Sequence, residues 1–278
     1  MNADTQLTSR TVLVTGAARG IGKAIAAAFA GCAAKVGLSD ILAQELESTA
    51  QELTEAGADV LPVTADVTDV ESVEAMVAQV EHELGPIDIL VSNAGTFSYI
   101  GPVWEADPQK WFHDVRVNLY GSFLCCRAVV GRMVERGGGY VITIATTGGL
   151  NDPHPYSTSY ACSKTALVRL TEALAKEAGP HGVKTFSVGP PAILTEMTRF
   201  IMSDPSARKW RPGFERIFQE GRGHPPELVA DLCVKLVSGR ADRLTGRYFK
   251  ATRDFDETIA RADDIIDRDL LTVRLPAL

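Results

Sequence analysis

Short apolar runs alternate with longer segments of helical periodicity along most of the chain. The runs are rich in β-branched residues and predict buried strands at residues 11–16, 35–40, 59–67, 87–95, 138–147 and 183–191. The segments between them predict helices at residues 20–33, 41–57, 68–84, 107–136 and 159–178. Because strands that alternate with helices pair in parallel and are covered on both faces, the pattern predicts an α/β fold with a parallel sheet. No repeat or linker interrupts it, so a single domain is expected.

Two of the predicted helices have start signals. Thr68 and Glu71 have the spacing of a capping box, in which each side chain bonds a backbone N–H at the helix start. Asp107 followed by Pro108 is typical of an N-cap with proline in the first turn. The second signal predicts one long helix that reaches about Arg136.

Residues 190–226 break the alternation and form a long insertion before a helix that starts near Pro226. Apolar side chains occur there among several arginines, namely Met197, Phe200, Ile201, Met202, Trp210, Phe214, Ile217 and Phe218. Long ordered insertions are often lids over a binding site, and a purely structural excursion is the alternative. After the apolar stretch GRYFKA, an acidic helix-like tail at about 251–278 is expected to pack on the body or on a neighbouring subunit.

The composition narrows the class of partner. A chain of 278 residues with 45% hydrophobic content can bury a large core. A net charge of −7, without a dense lysine and arginine block, disfavours a nucleic-acid surface and favours a small-molecule partner. The sequence has no apolar leader and no run of membrane-spanning length, and its five cysteines fit reduced thiols. The expected location is the cytoplasm, away from membranes.

A glycine-rich segment follows the first predicted strand. TGAARGIG at residues 15–22 opens a helix, which is the context in which such a loop binds phosphate groups. Gly16 permits a tight turn, Gly20 lets the backbone approach a pyrophosphate, and Gly22 leaves room for helix and strand to pack. Because the helix N-terminus adds N–H donors and a positive dipole end, the segment predicts a bound dinucleotide.

The residue at the end of the second strand bears on which dinucleotide is bound. Asp40 can accept hydrogen bonds from ribose hydroxyls and would repel a 2′-phosphate, and Ile41 and Leu42 supply no cation to offset it. NAD is therefore favoured over NADP. Arg19, within the glycine loop, is the argument for NADP because its guanidinium could reach a phosphate.

Tyr160 and Lys164 lie four residues apart and share one face of a predicted helix. The ammonium can stabilise the phenolate, and lowering a tyrosine pKa by about three units requires roughly 4 kcal/mol. An exposed aromatic residue beside a solvated lysine is the alternative. His154 and His224 could approach the site, but an isolated loop histidine is more often solvated, and neither is assigned a role. No metal is expected, because no cluster has ligand spacing.

Several motifs occur together in a fixed order. They are TGAARGIG at 15–22, Asp66 in ADV, SNAG at 92–95, Asn118 in VNLYG, the ITIATT strand, YACSK at 160–164 and VGPPAILTEM at 188–197. In order and spacing this set resembles the short-chain dehydrogenase/reductase family over about residues 10–250. The resemblance implies a Rossmann-type, doubly wound sheet of seven parallel strands in a homo-oligomer, a tetramer or a dimer.

The resemblance also implies roles for individual residues. Tyr160 is the expected acid/base, and Lys164 is expected to lower its pKa and to bond the nicotinamide ribose. Thr147, thirteen residues before the tyrosine, stands where the family usually has serine. Asn118 matches an asparagine that kinks its helix and holds a water in a proton relay to Lys164. The implied cofactor contacts are Gly16, Arg19, Gly20, Ile21, Gly22, Asp40, Asp66, Val67, Asn93, Ala94, Gly95, Tyr160, Lys164, Pro190, Ile193 and Thr195.

Three positions depart from the family pattern. The extra methyl of Thr147 restricts its χ1 and crowds the carbonyl site, which bears on substrate preference. Ser92 replaces an asparagine, and Pro191 replaces a glycine at the entry to the predicted lid, where it removes a donor and fixes φ.

The expected activity is NAD-dependent interconversion of a secondary alcohol and a ketone by hydride transfer. Aromatic residues in the loops and the lid, with Asn151 and Tyr156 as polar contacts, favour a medium-sized, partly apolar cyclic or aromatic alcohol. An NADP-dependent carbonyl reductase is the alternative enzyme. A dinucleotide-binding regulator without turnover is the alternative from another class.

Overall fold

Seven parallel strands form one sheet in the computed structural model, which describes residues 7–147, 150 and 154–274. The strands are β1 (Thr11–Thr15), β2 (Lys35–Asp40), β3 (Val60–Thr64), β4 (Ile87–Ser92), β5 (Gly139–Ile144), β6 (Val183–Gly189) and β7 (Tyr248–Lys250). Their order across the sheet is β3-β2-β1-β4-β5-β6-β7. The chain winds outward from β1 to β3 and then returns to lay β4 beside β1, so the winding direction reverses between these two strands. The predicted α/β fold with a doubly wound, seven-stranded parallel sheet is confirmed.

Helices cover both faces of the sheet. They are α1 (Gly20–Gly31), α2 (Ala43–Glu55), α3 (Val70–Leu84), α4 (Pro108–Val115), α5 (Ser122–Arg136), α6 (Thr158–Ala178), α7 (Glu196–Ser203), α8 (Pro205–Trp210), α9 (Arg216–Gln219), α10 (Glu227–Leu236), α11 (Phe255–Ala260) and α12 (Ala262–Asp267). In the part of the chain that the structure describes, each helix is too short or too polar to cross a membrane.

The core consists of two layers, one on each face of the sheet. Val12 and Val14 of β1 pack into one layer with α1 and α10, whereas Leu13 packs into the other with α3 and α5. Successive side chains of a strand point to opposite faces, and both faces are covered here. This is why the strands read as continuous apolar runs in the sequence.

The predicted capping box at Thr68 and Glu71 is wrong. Asp69 is the N-cap of α3, and its carboxylate accepts the backbone N–H of Ser72 at 2.7 Å. Thr68 instead donates its backbone N–H and its hydroxyl to Asp66 Oδ1, both at 2.8 Å. Since a carboxylate directly follows the threonine, the stronger acceptor takes the cap and the threonine joins the preceding turn.

The predicted helix 107–136 begins as expected and then changes its winding. Asp107 caps α4 by accepting the backbone N–H groups of Gln109 and Lys110. Residues Arg116–Gly121 form a π-helical segment, after which α5 continues to Arg136. Such a segment adds one residue to a turn and is frequent at functional sites.

The insertion and the tail both pack on the body of the chain. Three short helices, α7 to α9, occupy most of the segment that was predicted to be a lid. The tail forms α11 and α12, whose Phe255 and Ile265 join the core layer beside α1 and α10. Leu271 O then accepts the backbone N–H of Tyr248 at 2.9 Å, which ties the end of the described tail to β7.

Candidate active site

One large cavity of about 840 Å³ opens at the carboxyl ends of the central strands. This volume lies in the range of small-molecule sites, and the place is the crevice where a doubly wound sheet binds its ligand. Every predicted site residue except Asn118 lines it, namely Gly16, Arg19, Gly20, Ile21, Gly22, Asp40, Asp66, Val67, Asn93, Ala94, Gly95, Thr147, Tyr160, Lys164, Pro190, Ile193 and Thr195. Asn118 is buried directly behind the wall.

The glycine loop leaves no room for side chains at two of its positions. Gly16 has φ +67°, and a Cβ there would lie 2.8 Å from Ala94 Cα. A Cβ at Gly22 would lie 1.9 Å from Gly16 O. The N-cap of α1 is Arg19, whose guanidinium has no acceptor for backbone N–H groups. The first turn of α1 therefore presents its N–H donors and its positive dipole end to the cavity.

Asn93 braces this loop from the neighbouring strand. Its Nδ2 donates to Thr15 O at 2.9 Å and to Gly16 O at 3.0 Å. Thr15 Oγ1 in turn accepts the backbone N–H groups of Asn93 and Ala94. The segment after β4 and the glycine loop are thereby held as one unit at the point where the sheet reverses.

Asp40 lies at the end of β2 with its carboxylate on the cavity wall. It accepts the backbone N–H of Ala18 and that of Leu42, each at 3.1 Å. The guanidinium of Arg19 lies 3.8 Å from the carboxylate of Glu45. The acidic group is thus fixed beside the glycine loop, while the basic group of that loop has an acidic neighbour of its own.

Lys164 is almost fully buried, and its Nζ donates to Ile144 O at 2.8 Å. Burial lowers the pKa of the Lys164 ammonium to about 8, because a charge is costly away from water. Gly95 lies against it, since a Cβ at Gly95 would be 3.1 Å from Lys164 Nζ and 3.0 Å from Asn118 Oδ1. The side chains of Lys164 and Asn118 therefore both approach Gly95.

Asn118 lies in the π-helical segment and pairs with the backbone of the segment after β4. Its Oδ1 accepts the N–H of Thr96 at 2.8 Å, and its Nδ2 donates to Thr96 O at 3.0 Å. The same Nδ2 donates to Ser163 Oγ at 3.0 Å, which links it to the turn of α6 that carries Lys164. One turn earlier, Asp114 accepts the N–H of Ser98 at 2.7 Å.

Tyr160 packs its ring on Phe97, with 4.7 Å between the ring centroids. Burial raises the pKa of the Tyr160 phenol. A hydrogen bond with Thr146 and the positive charge of Arg211 oppose this rise, and the negative charge of Asp114 adds to it. The largest influence on the phenol pKa in the described residues is thus the loss of water. The lowering by Lys164 was predicted together with the positive charge of a bound nicotinamide, so it stays a prediction.

Two adjacent hydroxyls, those of Thr146 and Thr147, line the cavity with Tyr160. Thr147 Oγ1 donates to Pro190 O at 3.1 Å, whereas the hydroxyl of Thr146 bonds the Tyr160 phenol. Thr146 is held from behind, because its carbonyl accepts the hydroxyl of Tyr248 at 3.0 Å. The role of Thr147 beside the reacting carbonyl therefore stays a prediction, and Thr146 is a second candidate because it hydrogen-bonds the phenol.

The segment predicted to be a lid lines the cavity opposite the glycine loop. Thr195 caps α7 by accepting the backbone N–H of Thr198 at 3.3 Å, and its methyl would be 3.4 Å from a Cβ at Gly20. Met197, Trp210 and Phe214 pack with Tyr160 in a small apolar cluster around Phe97, Ile100, Ile201 and Ala207. The insertion is therefore continuous with the wall around the phenol.

Other polar residues singled out in the sequence have different surroundings. His154 lines the cavity and accepts a hydrogen bond from Arg211 Nη2 at its Nδ1, at 3.2 Å, so of the two alternatives left open by the sequence it approaches the site. His224 is exposed, and its backbone N–H donates to Ala192 O. Tyr156 packs on Trp210, with ring centroids 4.7 Å apart. Asn151 lies outside the described residues.

A family model described as short chain dehydrogenase matches residues 10–206 of this sequence. The chain belongs to the short-chain dehydrogenase family. The short chain dehydrogenase tazN of Aspergillus terreus is 35% identical over 268 residues, which cover 93% of this chain and 55% of that protein. A D-threitol dehydrogenase of Mycolicibacterium smegmatis is 34% identical over 245 residues, which cover 87% of this chain and 91% of that protein. The crystal structure of levodione reductase matches with a TM-score of 0.79 at 29% identity, covering 87% of this chain and 96% of the other.

Sequence reasoning missed three residues of this short-chain dehydrogenase that surround the phenol. Thr146 was passed over for its neighbour, and Phe97 and Arg211 were not singled out as site residues. Phe97 is the second residue after the SNAG motif, so its closeness in sequence to a predicted cofactor contact was a usable signal. Arg211 offered a weaker signal, as an arginine between the aromatic residues Trp210 and Phe214.

Proposed function

We propose that this short-chain dehydrogenase is an NAD-dependent oxidoreductase that interconverts a secondary alcohol and a ketone, with Tyr160 as the acid/base. One observation carries the proposal. A half-buried phenol that hydrogen-bonds Thr146 lines the same cavity as a glycine loop shaped for phosphate groups. A proton donor and a dinucleotide cradle in one enclosure fit hydride chemistry on a carbonyl.

The cradle fits a nicotinamide dinucleotide. Gly16, Gly20 and Gly22 would hold the pyrophosphate, because their backbone approaches without obstruction by side chains. Asp40 would bond the adenosine ribose, and Asp66 and Val67 would contact the adenine. Lys164 would bond the second ribose, and the backbone of Pro190 and Ile193 with Thr195 would flank the carboxamide. When bound there, the cofactor accepts a hydride from the alcohol carbon or returns it to the ketone.

The proton would pass through Tyr160. A raised pKa keeps the phenol protonated near neutral pH, which is the form that gives a proton to a ketone oxygen. Thr146 would donate its hydroxyl to the same oxygen and hold it in place, as a fixed dipole does for developing negative charge. In alcohol oxidation the phenol must first lose its proton, and the positive charge of Arg211 favours that form. The ammonium of Lys164, one helical turn away, would act in the same direction.

NAD is favoured over NADP by the charges at the adenosine end. Asp40 is fixed on the wall by two backbone N–H groups, so an additional phosphate on the ribose would meet a carboxylate. Arg19 has Glu45 as a neighbour at 3.8 Å, which reduces its availability for a phosphate. The NADP-dependent carbonyl reductase remains the second candidate because Arg19 also lines the cavity.

The substrate that we propose is a medium-sized, partly apolar secondary alcohol or its ketone. The wall around Tyr160 is made of Phe97, Ile201 and Phe214, which favours a carbon skeleton without many hydroxyls. Of two similar proteins, one is named as a dehydrogenase of D-threitol, a polyol, and the other as a reductase of levodione, so the preference for an apolar skeleton rests on the cavity wall and not on the relatives. We further propose a homotetramer or dimer that acts in the cytoplasm.

The variant Tyr160→Phe tests the acid/base role. It keeps the ring packed on Phe97 and removes only the hydroxyl, so turnover should fall at least about 1000-fold while NAD affinity stays within about threefold. Turnover is measured by NADH absorbance on a panel of secondary alcohols and ketones, and affinity by fluorescence titration. Titration with NADP should give weaker binding than NAD. Substantial activity in the phenylalanine variant would refute the assignment, and equal affinity for both dinucleotides would refute the argument from Asp40.

A further inference from the structure

Arg211 places a guanidinium in the cavity wall on the same side as the phenol. It follows α8 directly and lines the cavity together with Tyr160, Phe97 and Phe214. Its Cζ is 6.0 Å from the centre of the Phe97 ring and 5.2 Å from that of Phe214. Because the Phe97 ring stacks on Tyr160, Arg211 and the phenol share one aromatic wall.

The guanidinium has no carboxylate partner within the described residues. Its side-chain hydrogen bond goes to His154 Nδ1 at 3.2 Å, which is an uncharged acceptor. The carboxylates on the described cavity wall are those of Asp40, Asp66 and Glu196. The first two accept backbone N–H groups at the adenosine end, and Glu196 lies 3.2 Å from Arg199.

Other arginines with partly buried side chains in the described chain form ion pairs with carboxylates. Arg247 has a side chain that is 14% exposed, and it pairs with Asp269. Arg136 has a side chain that is 33% exposed, and it pairs with Glu81 at 3.4 Å. Burial without such a partner lowers the pKa of Arg211, because the charged form is penalised. Arg211 is half-buried, and a cation that loses part of its water without gaining an anion is destabilised, an effect that a ligand with an anionic group would reverse.

We propose that Arg211 binds a carboxylate of the substrate, so that the substrate is a hydroxy or keto carboxylic acid with an apolar skeleton. This inference rests on the proposed function, because it places the carboxylate in the same cavity as the reacting carbonyl. The planar fork of a guanidinium matches a carboxylate in two parallel hydrogen bonds. The flanking rings of Phe97 and Phe214 would hold the carbon skeleton between the fork and the phenol.

The rival role for Arg211 is purely structural. Stacked between Phe97 and Phe214, the guanidinium could pin the segment of α7 to α9 onto the body without touching a substrate. A pin and an anion site respond differently to charge on the ligand. Loss of a structural contact lowers the affinity for every ligand of the cavity alike, whereas loss of an anion site lowers the affinity for acids only.

Calorimetric titration of the NAD-loaded enzyme with cyclohexanecarboxylate and cyclohexanecarboxamide tests this proposal. The two probes have nearly the same shape and differ in charge. The parent enzyme should bind the acid at least tenfold more tightly than the amide. Arg211→Gln should abolish this preference, Arg211→Lys should keep part of it, and the exposed Arg199→Gln, outside the cavity wall, should leave it unchanged.

Equal affinity of the parent enzyme for acid and amide, including no measurable binding of either, overturns the proposal. So does an Arg211→Gln variant that is folded by circular dichroism and loses affinity for both probes equally. Should that variant fail to fold, the comparison of acid and amide in the parent enzyme and in Arg211→Lys decides.

Turnover of 3-oxocyclohexanecarboxylate and of its methyl ester separates this inference from the proposed function. Tyr160-dependent reduction of both compounds at equal kcat/KM would support the proposed oxidoreductase activity and refute the proposal that Arg211 binds a carboxylate. Selective binding of the acid through Arg211, with no reduction of any ketone tried, would sustain the anion site and sink the function.

Discussion

At the scale of single residues, Thr146 and Thr147 are chemically identical neighbours whose hydroxyls have different partners. One bonds the Tyr160 phenol, and the other donates to Pro190 O. A hydroxyl beside the acid/base contributes to the reaction only if it reaches the same substrate oxygen as the phenol. The two threonines therefore form a matched pair for testing where the substrate oxygen lies.

Replacement of each threonine by valine removes the hydroxyl and keeps the shape. Thr146→Val should lower kcat about 100-fold, as loss of one donor to a developing oxyanion does. Thr147→Val should keep kcat within about threefold, because its hydroxyl bonds a backbone carbonyl. Steady-state kinetics on the best ketone of the panel measures both. The opposite ranking would return the role to Thr147 and contradict the geometry.

The residues that sequence reasoning predicted best are those whose role depends on the backbone. Gly16 and Gly22 were correctly placed because the absence of a side chain is itself the property that the loop needs. Thr146 and Arg211 could not be chosen from the sequence, since their roles depend on which way a side chain points after folding. The rise in the pKa of Tyr160 could not be predicted for the same reason, because burial depends on how the cavity wall packs.

At the scale of elements, α1 and the loop before it depend on contact between two backbones. The first turn of α1 approaches β1 so closely that Gly22 faces Gly16 O. A glycine in the middle of α5 has no such constraint. Gly131 in α5 is exposed, and no described atom lies within 4 Å of where its Cβ would be.

Alanine at these two glycines should act in opposite directions. Gly22→Ala would place a methyl 1.9 Å from Gly16 O, so it should destabilise the fold by about 1–3 kcal/mol and weaken NAD binding at least tenfold. Gly131→Ala should stabilise by about 0.5–1 kcal/mol without changing NAD affinity, since alanine favours a helix. Urea denaturation and NAD titration of both variants measure this. Unchanged NAD affinity in Gly22→Ala would mean that the loop does not cradle the cofactor.

The elements themselves were largely predictable, and their irregularities were not. The six predicted strands β1 to β6 were found because burial on both faces leaves a continuous apolar run. Strand β7 has only three residues, too few for a periodic signal, and was read as an apolar stretch. The cap of α3 was misplaced by one residue because Thr68 and Asp69 are both good capping residues.

At the scale of the whole molecule, the tail is fastened to α6 through one buried carboxylate. Glu172 accepts the backbone N–H of Val273 at 2.7 Å and the guanidinium of Arg274 at 2.8 Å, and it also pairs with Arg169. Its side chain is 7% exposed, so removal of the carboxylate would leave a cluster of unpaired donors. The tail thus contributes to global stability through this contact with α6 in addition to the packing of Phe255 and Ile265 in the core.

Glu172→Ala should lower the free energy of unfolding by about 1–3 kcal/mol. The matched change is Glu177→Ala on the same helix, where the side chain is exposed and the effect should stay within about 0.5 kcal/mol. Both are measured by urea denaturation at pH 7. Equal stability of the two variants would show that the tail is held by its apolar residues alone.

Thr96 follows the end of β4, and within the described residues its backbone pairs with the side chain of Asn118 in place of a neighbouring strand. Its amide meets the N–H and the C=O of Thr96 as the peptide group of an eighth strand would. The extra residue of the π-helical segment sets the phase of that amide, and a regular helix would turn it by about 100° per residue. Conversion of this segment to a regular α-helix would therefore break the hydrogen bonds between Asn118 and Thr96. The backbone after β4, which forms part of the cavity wall, thus depends on the π-helical segment for its position.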